Sequence, residues 1–143
     1  MSTTPVRVAF MCVQNAGRSQ MSTAFAERER AERGLEDEVE ILTGGTHPAA
    51  HVHDVVVEIM AEEGFGLEDR VPREITTEEL ASCDYVATMG CSTLSLDPAA
   101  GVDVRDWALA DPDGQDKERV REIRDEIAEN VRVLFDELEE ELQ

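Results

Sequence analysis

The sequence predicts a single α/β domain over residues 1–143, a three-layer fold with a four-stranded parallel sheet between helices. Two observations carry this. Short apolar runs alternate along the chain with stretches of helical periodicity, and strands that alternate with helices pair in parallel, with crossovers packed on both faces. The chain also shows no internal repeat, linker or low-complexity tract, and 143 residues with 41% hydrophobic content suffice for one core.

Val6 to Met11 (VRVAFM) is a short apolar run and reads as a buried first strand. A loop follows from Cys12 to Arg18. Ser19 to about Arg33 is a helix with Met21, Ala24, Phe25 and Arg28 on one face, stopped by Gly34. Val39 to Thr43 is the second strand, which Gly44-Gly45 is expected to end. Val52, Val55, Val56, Ile59 and Met60 recur at helical spacing, and Gly64 closes that helix. Thr76 and Glu79 form the signature of a capping box before a short helix. Tyr85 to Met89 is the third strand and Val102 to Trp107 a weaker fourth. The last helix runs from about Asp116 to Leu138, with Val120, Ile123, Ile127, Val131, Leu134 and Leu138 in one stripe.

Charge limits the partners. Asp and Glu number 33 against 13 Lys and Arg, for a net charge of -20, and Lys117 is the lone lysine. Such a surface repels nucleic acid and anionic membranes. The acids are spread over every predicted helix, as in a protein kept soluble at very high salt, where self-repulsion is screened. No run reaches the roughly 20 apolar residues of a membrane span, and Met1 to Pro5 carries no secretory pattern, so a cytoplasmic location is expected. Three cysteines, Cys12, Cys83 and Cys91, do not make a disulfide scaffold, and no Cys/His spacing suggests a metal site.

The chemistry lies in Cys12-Val13-Gln14-Asn15-Ala16-Gly17-Arg18-Ser19, between a strand and a helix. Successive N–H groups curled inward form an anion nest, and the following helix adds the positive end of its dipole. Asn15 and Gly17 are residue types that tolerate the positive φ of such a curl. The Arg18 guanidinium can grip two oxygens of a tetrahedral anion. The same field favours the Cys12 thiolate, Ser19 can donate a further hydrogen bond, and the sulfur is aimed at the centre of the bound oxyanion. In a parallel sheet ligands bind beyond the carboxyl ends of the strands. Cys12, Cys91 and Asp111, which follow strands one, three and four, should therefore share one edge.

The chain resembles the arsenate reductases of the low-molecular-weight protein tyrosine phosphatase superfamily. The loop stretch CVQNAGRSQM (Cys12–Met21), the segment Gly45-Thr46-His47-Pro48-Ala49, Thr88-Met89-Gly90-Cys91, WALADPD (Trp107–Asp113) and Ile123 to Ile127 carry the likeness. The resemblance implies a phosphatase-I fold and arsenate held by the Cys12–Arg18 loop. Attack by Cys12 and resolution by a second thiol, Cys91 or an external one, would release arsenite. It also implies no bound cofactor, and an external reductant, either a thioredoxin-like protein or a small-molecule thiol. The alternative is a phosphatase that hydrolyses phosphate monoesters through phospho-Cys12. Asp111 would protonate the leaving oxygen in either reaction. Ser95 stands where many such reductases have a third cysteine, and Asp113-Gly114 where the phosphatases usually have aromatic residues after Asp-Pro. Ala110 replaces a second acid that the reductases often carry. Cys83 is expected in the core and Trp107 as packing. His47, His51 and His53 are not expected to bind metal.

Overall fold

A computed structural model describes residues 5–12, 14–89, 102–107, 109–110, 112 and 114–142. Among these, four strands and four helices follow in the order β1 (Val6–Cys12), α1 (Arg18–Glu32), β2 (Val39–Gly45), α2 (Asp54–Ala61), α3 (Thr77–Ala81), β3 (Tyr85–Thr88), β4 (Asp103–Asp106) and α4 (Lys117–Leu142). The sheet order is β2-β1-β3-β4 and every pairing is parallel. No helix of the described residues is long and apolar enough to cross a membrane.

The pleat of β1 divides the interior in two. Val8, Phe10 and Cys12 face a large core closed by α1, α2 and α4. Ala9 and Met11 face a smaller one with Ile75, Leu80, Cys83 and Val86. The three predicted layers are therefore present but unequal. The α4 stripe is buried throughout, from Val120 to Leu138. Gly34 and Gly64 end their helices with φ of 68° and 87°. Thr76 and Glu79 make both bonds of the capping box.

Some expected boundaries move: α4 runs on to Leu142, past the expected Leu138, β1 takes in Cys12, and β2 extends by two residues. Gly44 and Gly45 do not end β2; they are its last two residues. The strand continues because Gly45 gains a second partner: its N–H donates to the Arg73 carbonyl (2.9 Å), and its carbonyl accepts from Ile75 (3.2 Å). Gly44 is glycine because of a close approach, since a Cβ there would lie 2.4 Å from the Ile75 Cβ. Two Cβ atoms fixed to backbone cannot yield as a side-chain tip does. Gly44→Ala is expected to destabilise the fold by about 1–3 kcal/mol, measured by denaturant unfolding, and to shift the 73–75 segment that contacts the active loop.

The scarce cations serve as clamps between elements. Arg33 of the α1 C-cap reaches Asp136 (3.0 Å) and Glu139 (2.9 Å) on α4. Arg124, buried on α4, donates to the Ile59 carbonyl (3.1 Å) and Glu62 (2.8 Å) at the end of α2. Hydrogen bonds from Arg121 and then Arg124 hold the Glu62 carboxyl down to about 2. Glu62 is exposed, so salt screens much of that attraction.

Candidate active site

β1 delivers Cys12 to the carboxyl edge of the sheet, paired in register with Gly45 of β2. Cys12 is buried, with 3% of its surface exposed. The loop beyond it curls because its backbone is pinned from outside. The carbonyls of Cys12, Gln14 and Ala16 accept from the N–H groups of Thr46 (3.3 Å), Ala49 (2.9 Å) and His53 (3.0 Å). In a trans peptide the N–H opposes the preceding carbonyl, so outward carbonyls at 14 and 16 turn the Asn15 and Gly17 amides inward. The Asn15 N–H accordingly donates to Cys12 Sγ at 3.3 Å. Ser19 Oγ lies 3.0 Å from the same sulfur.

Asn15 is the hinge of the curl, with φ of 52°. Its amide nitrogen donates to Ser19 Oγ (2.8 Å) and Thr43 Oγ1 (2.9 Å). Its oxygen accepts from Gln20 (3.1 Å) and from the Arg73 N–H (3.0 Å). Gly17 differs from expectation: its φ is -139°, so positive φ is not its reason. A Cβ at Gly17 would instead lie 2.9 Å from Pro112 Cγ. Glycine leaves room for the Pro112 ring against the loop.

Arg18 opens α1, whose first turn holds no acidic residue despite the charge of the chain. No side-chain carboxylate of that turn therefore offsets the positive end of the helix, the condition under which a helix start favours an anion. The Arg18 side chain is buried, and its Nη1 donates to the Met89 (2.8 Å) and Leu109 (2.9 Å) carbonyls. One guanidinium therefore ties the loop to the ends of β3 and β4.

Of the expected site residues, Cys12, Asn15, Ala16, Gly17, Arg18 and Ser19 come together, while Gln14 is exposed at the rim. Val13, Cys91 and Asp111, with Ser95 and Asp113, lie outside the described residues. Cys83 is buried, and burial pushes its thiol up, as suits a core residue rather than a nucleophile. Trp107 packs on Phe10, ring centroids 5.8 Å apart. His53 caps α2, His47 and His51 are exposed, and no cluster of His, Cys, Asp or Glu among the described residues suits a metal. The contacts of Thr43, Gln20 and the Arg73 amide with Asn15 were not foreseen. Only Gln20 had a sequence signal, its place beside the loop.

The family model described as low molecular weight phosphotyrosine protein phosphatase matches residues 7–143. The chain belongs to that family. Within it, a Halobacterium salinarum protein named "Putative arsenate reductase" is 72% identical over 131 residues, 92% of each chain. A solved Corynebacterium glutamicum thioredoxin-dependent arsenate reductase superposes with a TM-score of 0.77 at 32% identity. That match covers 97% of this chain, which spans 64% of the length of the other. An arsenate reductase solved in the phosphate binding state gives a TM-score of 0.74 at 26% identity, covering 92% of this chain and 98% of its own. The phosphatase-family fold thus accounts for the all-parallel sheet and the loop after β1, and the halobacterial relative accords with the acidic coat.

Proposed function

We propose that this protein is an arsenate reductase. The observation that carries the reading is the Cys12 sulfur, seated under the Asn15 N–H and beside Ser19 Oγ at the head of a helix that begins with Arg18. The halobacterial, corynebacterial and phosphate-bound relatives support it.

In this reading the amides of Val13 to Ser19 and the Arg18 fork hold arsenate. The Cys12 thiolate attacks arsenic, an S–As bond forms, and one As–O bond breaks. Asp111, which lies between Ala110 and the Pro112 that covers Gly17, protonates the departing oxygen. A second thiolate then attacks Cys12 Sγ. The S–S bond forms as the S–As bond breaks, and its electron pair stays on arsenic. Arsenic(V) is reduced to arsenite while two thiols become a disulfide. Cys91, two residues beyond the Met89 carbonyl held by Arg18, supplies that thiol. Ser95 cannot pass the disulfide on, so an external thioredoxin-like protein or small-molecule thiol reduces the pair directly. Such a cycle belongs in a reducing compartment, the cytoplasm, and residues 1–143 act as one domain.

The family's name favours a second reading, hydrolysis of phosphate monoesters through phospho-Cys12. The deciding experiment measures arsenate-dependent thiol oxidation in high salt beside aryl phosphate hydrolysis. After one turnover, non-reduced digests should contain a Cys12–Cys91 disulfide. Cys91→Ser should stop multiple turnover without added monothiol, yet spare hydrolysis of an activated aryl phosphate. Undiminished arsenate reduction by Cys91→Ser would remove the internal relay. Absence of arsenate-dependent thiol oxidation, with efficient ester hydrolysis, would give the chain to the phosphatases.

A further inference from the structure

One buried side chain beside the loop carries an uncompensated polar atom. Gln20 is 1% exposed, and its Oε1 accepts no hydrogen bond among the described residues. A methionine of the same length would avoid that desolvation loss. What the amide does instead is donate from Nε2 to Asn15 Oδ1 (3.1 Å).

The direction of that bond is fixed. The Arg73 N–H can only donate, so the Asn15 atom facing it is the oxygen. The Asn15 nitrogen therefore faces Ser19 Oγ and Thr43 Oγ1, and Gln20 must offer its own nitrogen to the oxygen. A Ser19 hydroxyl that accepts from Asn15 has its hydrogen left to give. Among the described residues, the acceptor in reach is Cys12 Sγ at 3.0 Å. Donors thus run one way, from Gln20 to Asn15 to Ser19 to the sulfur.

We propose that Gln20 is a positioning residue for Cys12: it holds in place the Asn15 amide that the Arg73 N–H orients and, through it, turns the Ser19 hydroxyl hydrogen onto the sulfur. The inference rests on Cys12 being the nucleophile. A hydrogen bond given to sulfur favours thiolate over thiol, so a side chain that never touches the oxyanion sets how much of the nucleophile is charged.

Gln20→Met tests this, because it fills the same space with neither a donor nor an orphaned acceptor. Its thermal midpoint should equal or exceed that of wild type. Yet the pH of half-maximal Cys12 alkylation by iodoacetamide should rise by about one unit, so that below the midpoint labelling slows about tenfold. Mass spectrometry of the Cys12 peptide keeps Cys83 and Cys91 out of the readout. Ser19→Ala should shift the midpoint in the same direction, and adding Gln20→Met to it should change nothing further. An unmoved pH of half-maximal alkylation in Gln20→Met, or an equal extra shift in the Ser19→Ala background, overturns the proposal. If Gln20→Met does not fold, Gln20→Leu carries the same measurements. Labelling needs no turnover, so failure of the nucleophile reading shows separately, as arsenate reduction surviving in Cys12→Ser.

Discussion

Cys12→Ser is expected to lower both arsenate reduction and aryl phosphate hydrolysis to below about a thousandth of wild type. A serine hydroxyl does not ionise near neutral pH, and it forms no disulfide for a second thiol to close. The substitution leaves the scaffold alone. Cys12 pairs with β2 through its backbone, and a serine oxygen can take up the contacts with the Asn15 N–H and Ser19 Oγ. The outward carbonyl pins at residues 12, 14 and 16 do not involve its side chain. Phosphate binding by calorimetry and the unfolding midpoint should both persist, which separates lost chemistry from lost structure. Activity above that level in a folded, phosphate-binding variant would remove Cys12 from its role.

What the sequence disclosed about fold and site follows the range of the forces involved. The α4 stripe, the Thr76–Glu79 capping box and the stops at Gly34 and Gly64 depend on neighbours a few residues away, and each is found where its spacing puts it. Asn15 belongs with them, because its positive φ is a local property of the curl. Gly17 and Gly44 do not. Both carry the usual mark of a turn, yet each is glycine because of a residue distant in sequence, Pro112 or Ile75. The pins on the loop escape a reading of side chains for another reason: Thr46, Ala49 and His53 act through main-chain N–H groups. The same limit hid the Arg73 amide, whose bond to Asn15 depends on where β2 and the 73–75 segment meet. Sequence therefore singled out the residues proposed to meet the oxyanion more readily than those that hold the loop in shape.

Arg18→Lys is expected to cost at least about a hundredfold in kcat/KM for arsenate, with the Arg18→Ala loss larger. The lysine keeps the charge, so a site that needed only a positive field would tolerate it. The geometry asks for more. Arg18 Nη1 holds the Met89 and Leu109 carbonyls together, at the ends of β3 and β4. The planar fork lets one buried group do this while still turning an edge to a tetrahedral anion. An ammonium has a single nitrogen. It either stays on the carbonyls and leaves the anion, or turns to the anion and leaves two buried carbonyls without their donor. The strand ends it would release lead to Cys91 and to Asp111, so the loss should not be confined to KM. The check is steady-state kinetics with arsenate alongside phosphate affinity. A fall in kcat together with weaker phosphate binding is the expected pattern. Wild-type kcat with only a raised KM would mean that Arg18 binds the anion and does not organise the strand ends for chemistry.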